Sequence, residues 1–395
     1  MRILEINTVN FGSTGKIMLQ IADLARKEGH EAVCSYYARR VKNPDKNTIY
    51  IGNKYSHNIH KRLFKYTGYN GYFQRLSTWN FLRKVKKYNP DIIHLHNLHN
   101  CYINLPMLFK FIKKNNIRVV WTLHDCWSFT GQCPYFTEAG CEKWKQGCHD
   151  CEQINRYPAS KVDRTSKMWN LKKAWFTGVN DLTVVTPSKW LADLAKESYL
   201  KDYSVKVINN GIDLSVFKPT ESDFRAKHGL DGKFIILGVA SIWEKRKGID
   251  VFIELEKRLD DRFKIVLVGT DDQVDKTLSD NIISIHRTSN QTELAALYSV
   301  ADLYFNPTRE DNYPTVNMEA IACGTPVMTF PTGGSPEMVN SKTGLVVEDD
   351  IDEVEKAIIS IYEQRPYRSE DLAESARNFD SGLKYDEYLR LFSHN

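Results

Sequence analysis

Two kinds of apolar segment take turns along the chain. Short apolar runs without a period of two, at Arg2–Asn7, Asp91–His96, Arg118–Leu123 and Leu182–Thr186, predict buried strands. Between them the apolar positions recur at helical spacing. Ile17, Ile21, Leu24 and Ala25 share one face of a helix predicted from Gly15 to Glu28, with Gly29 as its stop. Another helix is expected near 105–114. After Pro219 the pattern restarts, and Phe234–Gly238, Phe263–Gly269, Ile282–Ile285, Leu303–Phe305 and Pro326–Phe330 predict a second set of strands separated by helices. Apolar strands joined by helices build parallel sheets covered on both faces. The expected fold class is therefore α/β, with two doubly wound Rossmann-like domains facing across a cleft. The Asn-Gly turn within 210–217 divides the chain into a first domain over 1–210 and a second over 211–370. A helical segment over 371–395 is expected to return to the first domain. Ligands of such sheets bind at the carboxyl ends of the strands, so the loops that follow strands are where function is sought.

Composition narrows the class further. Of 395 residues, 42% are apolar and 26% charged, ordinary globular usage that excludes disordered and fibrous chains. No apolar run approaches the ~18 residues of a transmembrane helix, and Glu5 interrupts the N-terminal strand too soon for a signal peptide. The expected location is the cytoplasm. Charge is divided unevenly: residues 1–205 hold 32 Lys and Arg against 16 Asp and Glu, and the remainder 22 against 33. The first half is expected to face something anionic. Between Lys54 and Pro90 there is no acidic residue, but nine basic and nine aromatic ones. Such a segment suits an amphipathic helix on an anionic membrane surface, peripheral on the inner face of the plasma membrane. The alternative is an aromatic helix pair packed on the first sheet. No RNA- or DNA-binding motif accompanies these residues, so nucleic acid is not an expected partner.

Five of the eight cysteines fall within an insert at 126–151. Cys133-x7-Cys141-x6-Cys148-x2-Cys151 supplies the four thiolates of a tetrahedral structural zinc, and the terminal Cys-x2-Cys has knuckle spacing. Clustered thiols in a reducing compartment favour metal over disulfides; free or disulfide-bonded cysteines are the alternative.

The segment Arg309-Glu-Asp-Asn-Tyr-Pro-Thr-Val-Asn-Met-Glu319 carries the most chemistry. It follows a strand and opens a helix, placing Asp311 on the loop and Glu319 in the helix. Separate carboxylates are good acceptors for adjacent sugar hydroxyls. The segment resembles the E-x7-E region of retaining GT-B glycosyltransferases of family 4, as do Pro331-Thr-Gly-Gly-Ser-Pro-Glu337 and Asn209-Asn-Gly-Ile-Asp213 with Phe217. The resemblance implies that Glu319 binds the ribose of a nucleotide and that Glu310 or Asp311 contacts the transferred sugar. Asn312, Tyr313, Pro314 and Thr315 then line the donor between them. Asp311 stands where the family usually has Glu.

A diphosphate leaving group needs fixed positive charge. Gly238–Gly248 is similar to the family's Gly-Arg…Glu-Lys-Gly motif, which makes Lys247 a diphosphate ligand. The family's Arg position falls near Ser241, with Arg246 the candidate substitute. Arg287 and Thr288 fall in a stretch similar to the one with which family members hold the nucleobase. The small residues Gly12, Ser13, Thr14 and Gly15 open the first helix and let backbone amides approach a phosphate; their spacing is not that of a Walker A loop. His124, at a strand end, matches the family's His beside the transferred hexose, and Asp125 is expected to orient it. His94, His96 and His99 read as loop packing or acceptor contacts, with metal ligation the alternative.

These residues imply a retaining glycosyltransferase of surface polysaccharide assembly. The expected donor is a nucleotide diphosphate sugar carrying UDP or GDP, and the expected acceptor a glycan or lipid-pyrophosphate. His124, Asp125 and Asp311 are the catalytic candidates, and no catalytic metal is expected. The alternatives are a nucleotide-sugar epimerase or phosphorylase on the same fold, or a non-catalytic, zinc-dependent interaction protein.

Overall fold

The computed structural model describes residues 1–37 and 47–393; the remainder of the expected 1–210 and 371–395 spans lies outside the described residues. The chain divides into two compact units. Met1–Ile208 with Tyr385–Asn395 forms the first, and Asn209–Lys384 the second.

In the first unit, strands β1 (Arg2–Ile6), β2 (Glu31–Ser35), β3 (Ile92–Leu95), β4 (Arg118–Thr122), β5 (Leu182–Thr186) and β6 (Ser204–Val207) pair in parallel in the order 2-1-3-4-5-6. Helices α1 (Gly12–Lys27), α2 (Lys54–Thr67), α3 (Arg75–Tyr88), α4 (Leu105–Asn115), α5 (Thr165–Phe176) and α6 (Lys189–Glu197) connect them. Helix α1 starts three residues earlier than its apolar period predicts, because Gly12 and Ser13 form an exposed first turn that buries nothing. Two apolar layers cover the sheet. One gathers around Trp121, Phe109 and Phe176, the other around Ile17, Met18 and Ile21 of α1.

In the second unit, β7 (Phe234–Val239), β8 (Phe263–Val268), β9 (Ile283–Ile285), β10 (Leu303–Asn306), β11 (Val327–Thr329) and β12 (Gly344–Val346) are all parallel, in the order 12-11-10-7-8-9. Their helices include α7 (Phe224–His228), α8 (Ile249–Arg258), α9 (Asp272–Asp275), α10 (Gln291–Val300), α11 (Thr315–Ala322), α12 (Ile351–Gln364) and α13 (Ser369–Ser375). The final helix α14 (Ser381–Ser393) crosses from the second unit into the first. Its Tyr385, Tyr388, Leu389, Leu391 and Phe392 are buried with the α1 layer. The return therefore begins at Tyr385, not at 371. Residues 371–384 stay in the second unit, where Leu372, Ala376 and Phe379 join its core.

In each sheet the strand order reverses at one place: between β1 and β3 in the first, and between β7 and β10 in the second. At such a switch point the flanking connections leave on opposite faces, opening a crevice at the strand carboxyl ends.

Candidate active site

The second unit's switch point gathers the loops after β7 and β10. Lys247 ends the first loop and Asp311 lies in the second. Lys247 Nζ stands 2.5 Å from Asp311 Oδ2, while Asp311 Oδ1 accepts from the Asn312 amide at 2.9 Å. Glu310 is only 3% exposed, and its carbonyl accepts from Arg246 Nη1 at 3.1 Å. Asp311 is thus the carboxylate beside the lysine, while Arg246 is held by Glu244 Oε1 at 2.9 Å.

The two loops are tied together by a residue that motif reading passed over. Arg309 donates to the Lys245 carbonyl at 2.7 Å and to Asp250 Oδ1 at 2.9 Å, and pairs with Asp349 at 2.6 Å. Its amide donates to the Arg246 carbonyl at 2.8 Å. A planar guanidinium joining three chain segments fixes their spacing, and with it the separation of Lys247 and Asp311. From the other side, Gly333 presses on the Asp311 loop. Its φ is +57°, and a Cβ there would lie 1.9 Å from the Asp311 carbonyl oxygen, so only glycine fits. Gly334 donates its amide to Asn312 O at 2.7 Å.

Pro314 caps α11 and Thr315 begins it. Glu319, one turn further, is half-buried and accepts from Tyr298 Oη at 3.1 Å. Asn312 and Tyr313 are buried. Ser241 and Arg287 are exposed and Thr288 half-buried, after β7 and β9 respectively. The structure thus joins Lys247, Arg246, Glu310, Asp311 and Asn312 into one cluster at the second switch point.

In the first unit, Gly12–Gly15 follow β1. Gly15 is buried where a Cβ would meet the Asn10 carbonyl carbon at 2.6 Å. Thr14 Oγ1 accepts from Asn7 Nδ2 at 3.3 Å. His124 and Asp125 follow β4. The Asp125 carboxylate is taken by His99 Nε2 at 3.1 Å and by the Trp127 amide at 2.9 Å; the side chain that meets the His124 ring is His96, with His96 Nδ1 3.0 Å from His124 Nε2. Burial first, then the neighbouring imidazoles, hold His124 well below the usual histidine range, so its ring is neutral near pH 7.

The cysteine insert contains two short 3₁₀ turns, Trp127–Phe129 and Lys143–Lys145, and packs Phe136 on Trp144. Cys133, Cys141, Cys148 and Cys151 line a single cavity of about 150 Å³. They are free thiols, and Cys148 Sγ accepts the Gly131 amide at 3.1 Å. Among the described residues, the ligand groups within 4.8 Å of one another are Glu5–His94–His96 and Asp272–Asp275–His286; the cysteine sulfurs are not such a group.

The fold defines a protein of two doubly wound α/β units, and comparison with known proteins gives the family. Residues 14–216 match the family model Glycosyltransferase Family 4, and residues 220–379 match Glycosyl transferases group 1. The chain belongs to glycosyltransferase family 4, and its fold is GT-B. It is 29% identical over 269 residues to the putative colanic acid biosynthesis glycosyl transferase WcaC of Escherichia coli (strain K12), covering 66% of this chain and 65% of WcaC. It is 24% identical over 217 residues to an N,N'-diacetylbacillosaminyl-diphospho-undecaprenol alpha-1,3-N-acetylgalactosaminyltransferase of Campylobacter jejuni, covering 51% and 57%. The matches thus span less than two thirds of either relative. The crystal structure of Anabaena HepE in complex with UDP superposes with a TM-score of 0.71 at 15% identity, over the whole of both chains.

Proposed function

We propose that this protein is a retaining glycosyltransferase of surface polysaccharide assembly, using a nucleotide diphosphate sugar. The observation that carries the reading is the Lys247–Asp311 pair at the second switch point, with Glu319 on the helix that follows. Lys247 supplies the fixed cation for a diphosphate, and the carboxylate it now holds is replaced by the phosphate when donor arrives. Asp311 is then released toward the sugar hydroxyls, while Glu319 accepts from the ribose. The relatives' names support a glycan or lipid-linked acceptor, and the UDP complex of HepE supports UDP over GDP.

In the proposed step the bond from the anomeric carbon to the diphosphate oxygen breaks and the acceptor oxygen bonds to the same face. The acceptor's proton passes to an oxygen of the departing diphosphate. Such a reaction asks the protein for positioning and charge stabilisation rather than for a strong base. The family resemblance assigns His124 to the same reaction, with an imidazole that burial keeps neutral near pH 7.

The test is release of UDP or GDP from a panel of UDP-glucose, UDP-galactose, UDP-N-acetylglucosamine, GDP-mannose and GDP-fucose, with and without a lipid-pyrophosphate acceptor. Lys247→Ala and Glu319→Ala are expected to lower turnover by on the order of 10²-fold or more without a change in Tm. Undiminished turnover in both variants would overturn the site.

Two further features belong to this reading. The exposed apolar side chains of α2 and α3, among basic residues without an acid, support docking on an anionic membrane. The four cysteines support a structural zinc. A tetrahedral site needs sulfurs about 3.8 Å apart at Zn–S bonds of about 2.3 Å, so metallation would draw the thiols inward around the cavity they already line. About one zinc per chain after purification is expected, with a lower Tm after chelation and in Cys148→Ser. Metal-free protein with an unchanged Tm after chelation would remove the zinc.

A further inference from the structure

The buried face of α5 breaks its own pattern at one position. Thr165, Met168, Trp169, Lys172 and Phe176 are its buried residues, at the spacing of a core-facing helical stripe. Lys172 is a cation where that stripe calls for an apolar side chain, and it is fully buried. Its Nζ donates to the Trp127 carbonyl and, at 2.8 Å, to the Thr130 carbonyl. It also stands 3.6 Å from the centroid of the Trp127 ring. Among the described residues no carboxylate pairs with it. A buried ammonium is costly unless an anion balances it. Burial pushes Lys172 down to about 7, against the opposing pull of Cys148, Cys133 and Asp125, in that order. The Asp125 carboxylate is already taken by His99 and the Trp127 amide.

One peptide group connects Lys172 to the cysteine insert. The Thr130 carbonyl accepts from Lys172, and the Gly131 amide of the same peptide donates to Cys148 Sγ at 3.1 Å. In a trans peptide these two groups point in opposite directions. The ammonium therefore sits at the negative end of the peptide dipole and the sulfur at its positive end. A charge at either end polarises the peptide in favour of the opposite charge at the other. The fit is close: a Cβ on Gly131 would lie 2.6 Å from the Thr165 carbonyl oxygen and 2.9 Å from Cys148 Cβ. Thr130 Oγ1 holds the turn by donating to the Cys133 carbonyl at 2.6 Å.

We infer that Lys172 is the buried counter-charge of a zinc tetrathiolate made by Cys133, Cys141, Cys148 and Cys151, acting on Cys148 through the Thr130–Gly131 peptide. The inference rests on the zinc reading above. A thiol and a disulfide are both neutral, whereas a ligating cysteine is a thiolate. Four thiolates around a divalent ion leave net negative charge inside the insert, and Lys172 offsets part of it. Metal-free or disulfide-bonded cysteines leave the lysine unbalanced. Lys172 is thus a positioning residue of the metal site, contributed by a helix outside the insert.

The test uses the full chain, stripped of metal under reducing conditions and titrated with zinc against a chromogenic chelator. Lys172→Met keeps the apolar stem, and Lys172→Gln keeps a donor for the two carbonyls; both remove the charge. Each is expected to bind zinc on the order of 10–100-fold more weakly than wild type. Cobalt(II) in place of zinc separates charge from packing. Loss of a nearby cation moves the sulfur-to-cobalt charge-transfer band to lower energy, while the d–d bands keep their tetrahedral pattern. Wild-type affinity in both variants would overturn the inference and leave the zinc in place. Weaker binding with an unmoved charge-transfer band would also overturn it, making Lys172 a packing residue. If Lys172→Met does not fold, Lys172→Gln decides. A wild type that takes up neither metal would remove the zinc itself, a result read without either variant.

Discussion

At the residue scale, the buried histidines make stability depend on acid in a definite direction. His96 is lowered from 6.5 to about 4, so below pH 6.5 the unfolded chain binds a proton that the folded one refuses. Its contribution is complete above pH 6.5 and is lost as pH falls toward 4; His124 is shifted in the same direction. Glu5, lowered from 4.5 to about 2, contributes stability that is complete above pH 4.5 and lost as pH falls through 2. A shift of about 2.5 units amounts to roughly 3 kcal/mol. Urea unfolding between pH 6.5 and 4.5 is therefore expected to show a steep loss, and His96→Gln a shallower one from a lower starting stability. Equal slopes would mean that His96 is charged in the folded protein. Lys247, Asp311 and Glu319 stand out in the sequence because each sits in a local run whose spacing has chemical meaning. Glu5 and His96 do not. Their partnership is made by the register of two strands 91 residues apart, and its only local trace is an acid in an apolar strand.

At the element scale, the strands missing from the sequence pattern share one property. β2, β6 and β12 are all sheet edges. With one side unpaired, β6 keeps partly exposed residues and β12 spans only three, so neither has the apolar run that marks a central strand. The sequence of α2 and α3 suits both a membrane surface and packing on the sheet. Both contribute to the core through Phe64, Phe81, Leu82 and Val85, and both also keep large apolar groups in solvent. Tyr55, Ile59, Leu63 and Tyr66 form a stripe along α2; Leu76 and Trp79 lie on α3, with Tyr55 and Leu76 80% and 85% exposed. Flotation with vesicles containing phosphatidylglycerol is expected to recover the protein at low salt, less at high salt, and little with pure phosphatidylcholine. The double substitution Tyr55→Ser with Leu76→Ser should reduce recovery severalfold without altering Tm. Equal recovery on neutral vesicles would show that charge is not involved.

At the scale of the whole molecule, the first unit is not a continuous stretch of chain. Residues 1–208 are joined in that unit by the part of α14 that begins at Tyr385. Tyr388 Oη lies 3.1 Å from Thr122 Oγ1. Phe392 packs against His94, with ring centroids 5.4 Å apart. Arg118 donates to the carbonyls of Leu391 and Phe392 at 2.8 and 2.9 Å, satisfying the last turn of α14. Among the described residues no helix is long and apolar enough to cross a membrane, and α14 buries its apolar face with the α1 layer. A chain ending at Lys384 therefore exposes the α1 layer and removes the wall behind His94. Deleting a buried aromatic side chain costs on the order of 3–5 kcal/mol, and three such residues with two buried leucines exceed what a domain can usually lose. Calorimetry of the truncated protein is expected to show the transition of the first unit lowered or absent. The transition of the second unit, whose core ends at Phe379, should be kept. The complementary experiment is Phe392→Ala, which leaves α14 in place. It should lower the same transition by less, because His94 loses its packing partner while the Glu5–His96 hydrogen bond remains. A truncation that leaves both transitions intact would show that the final helix is dispensable to the first unit.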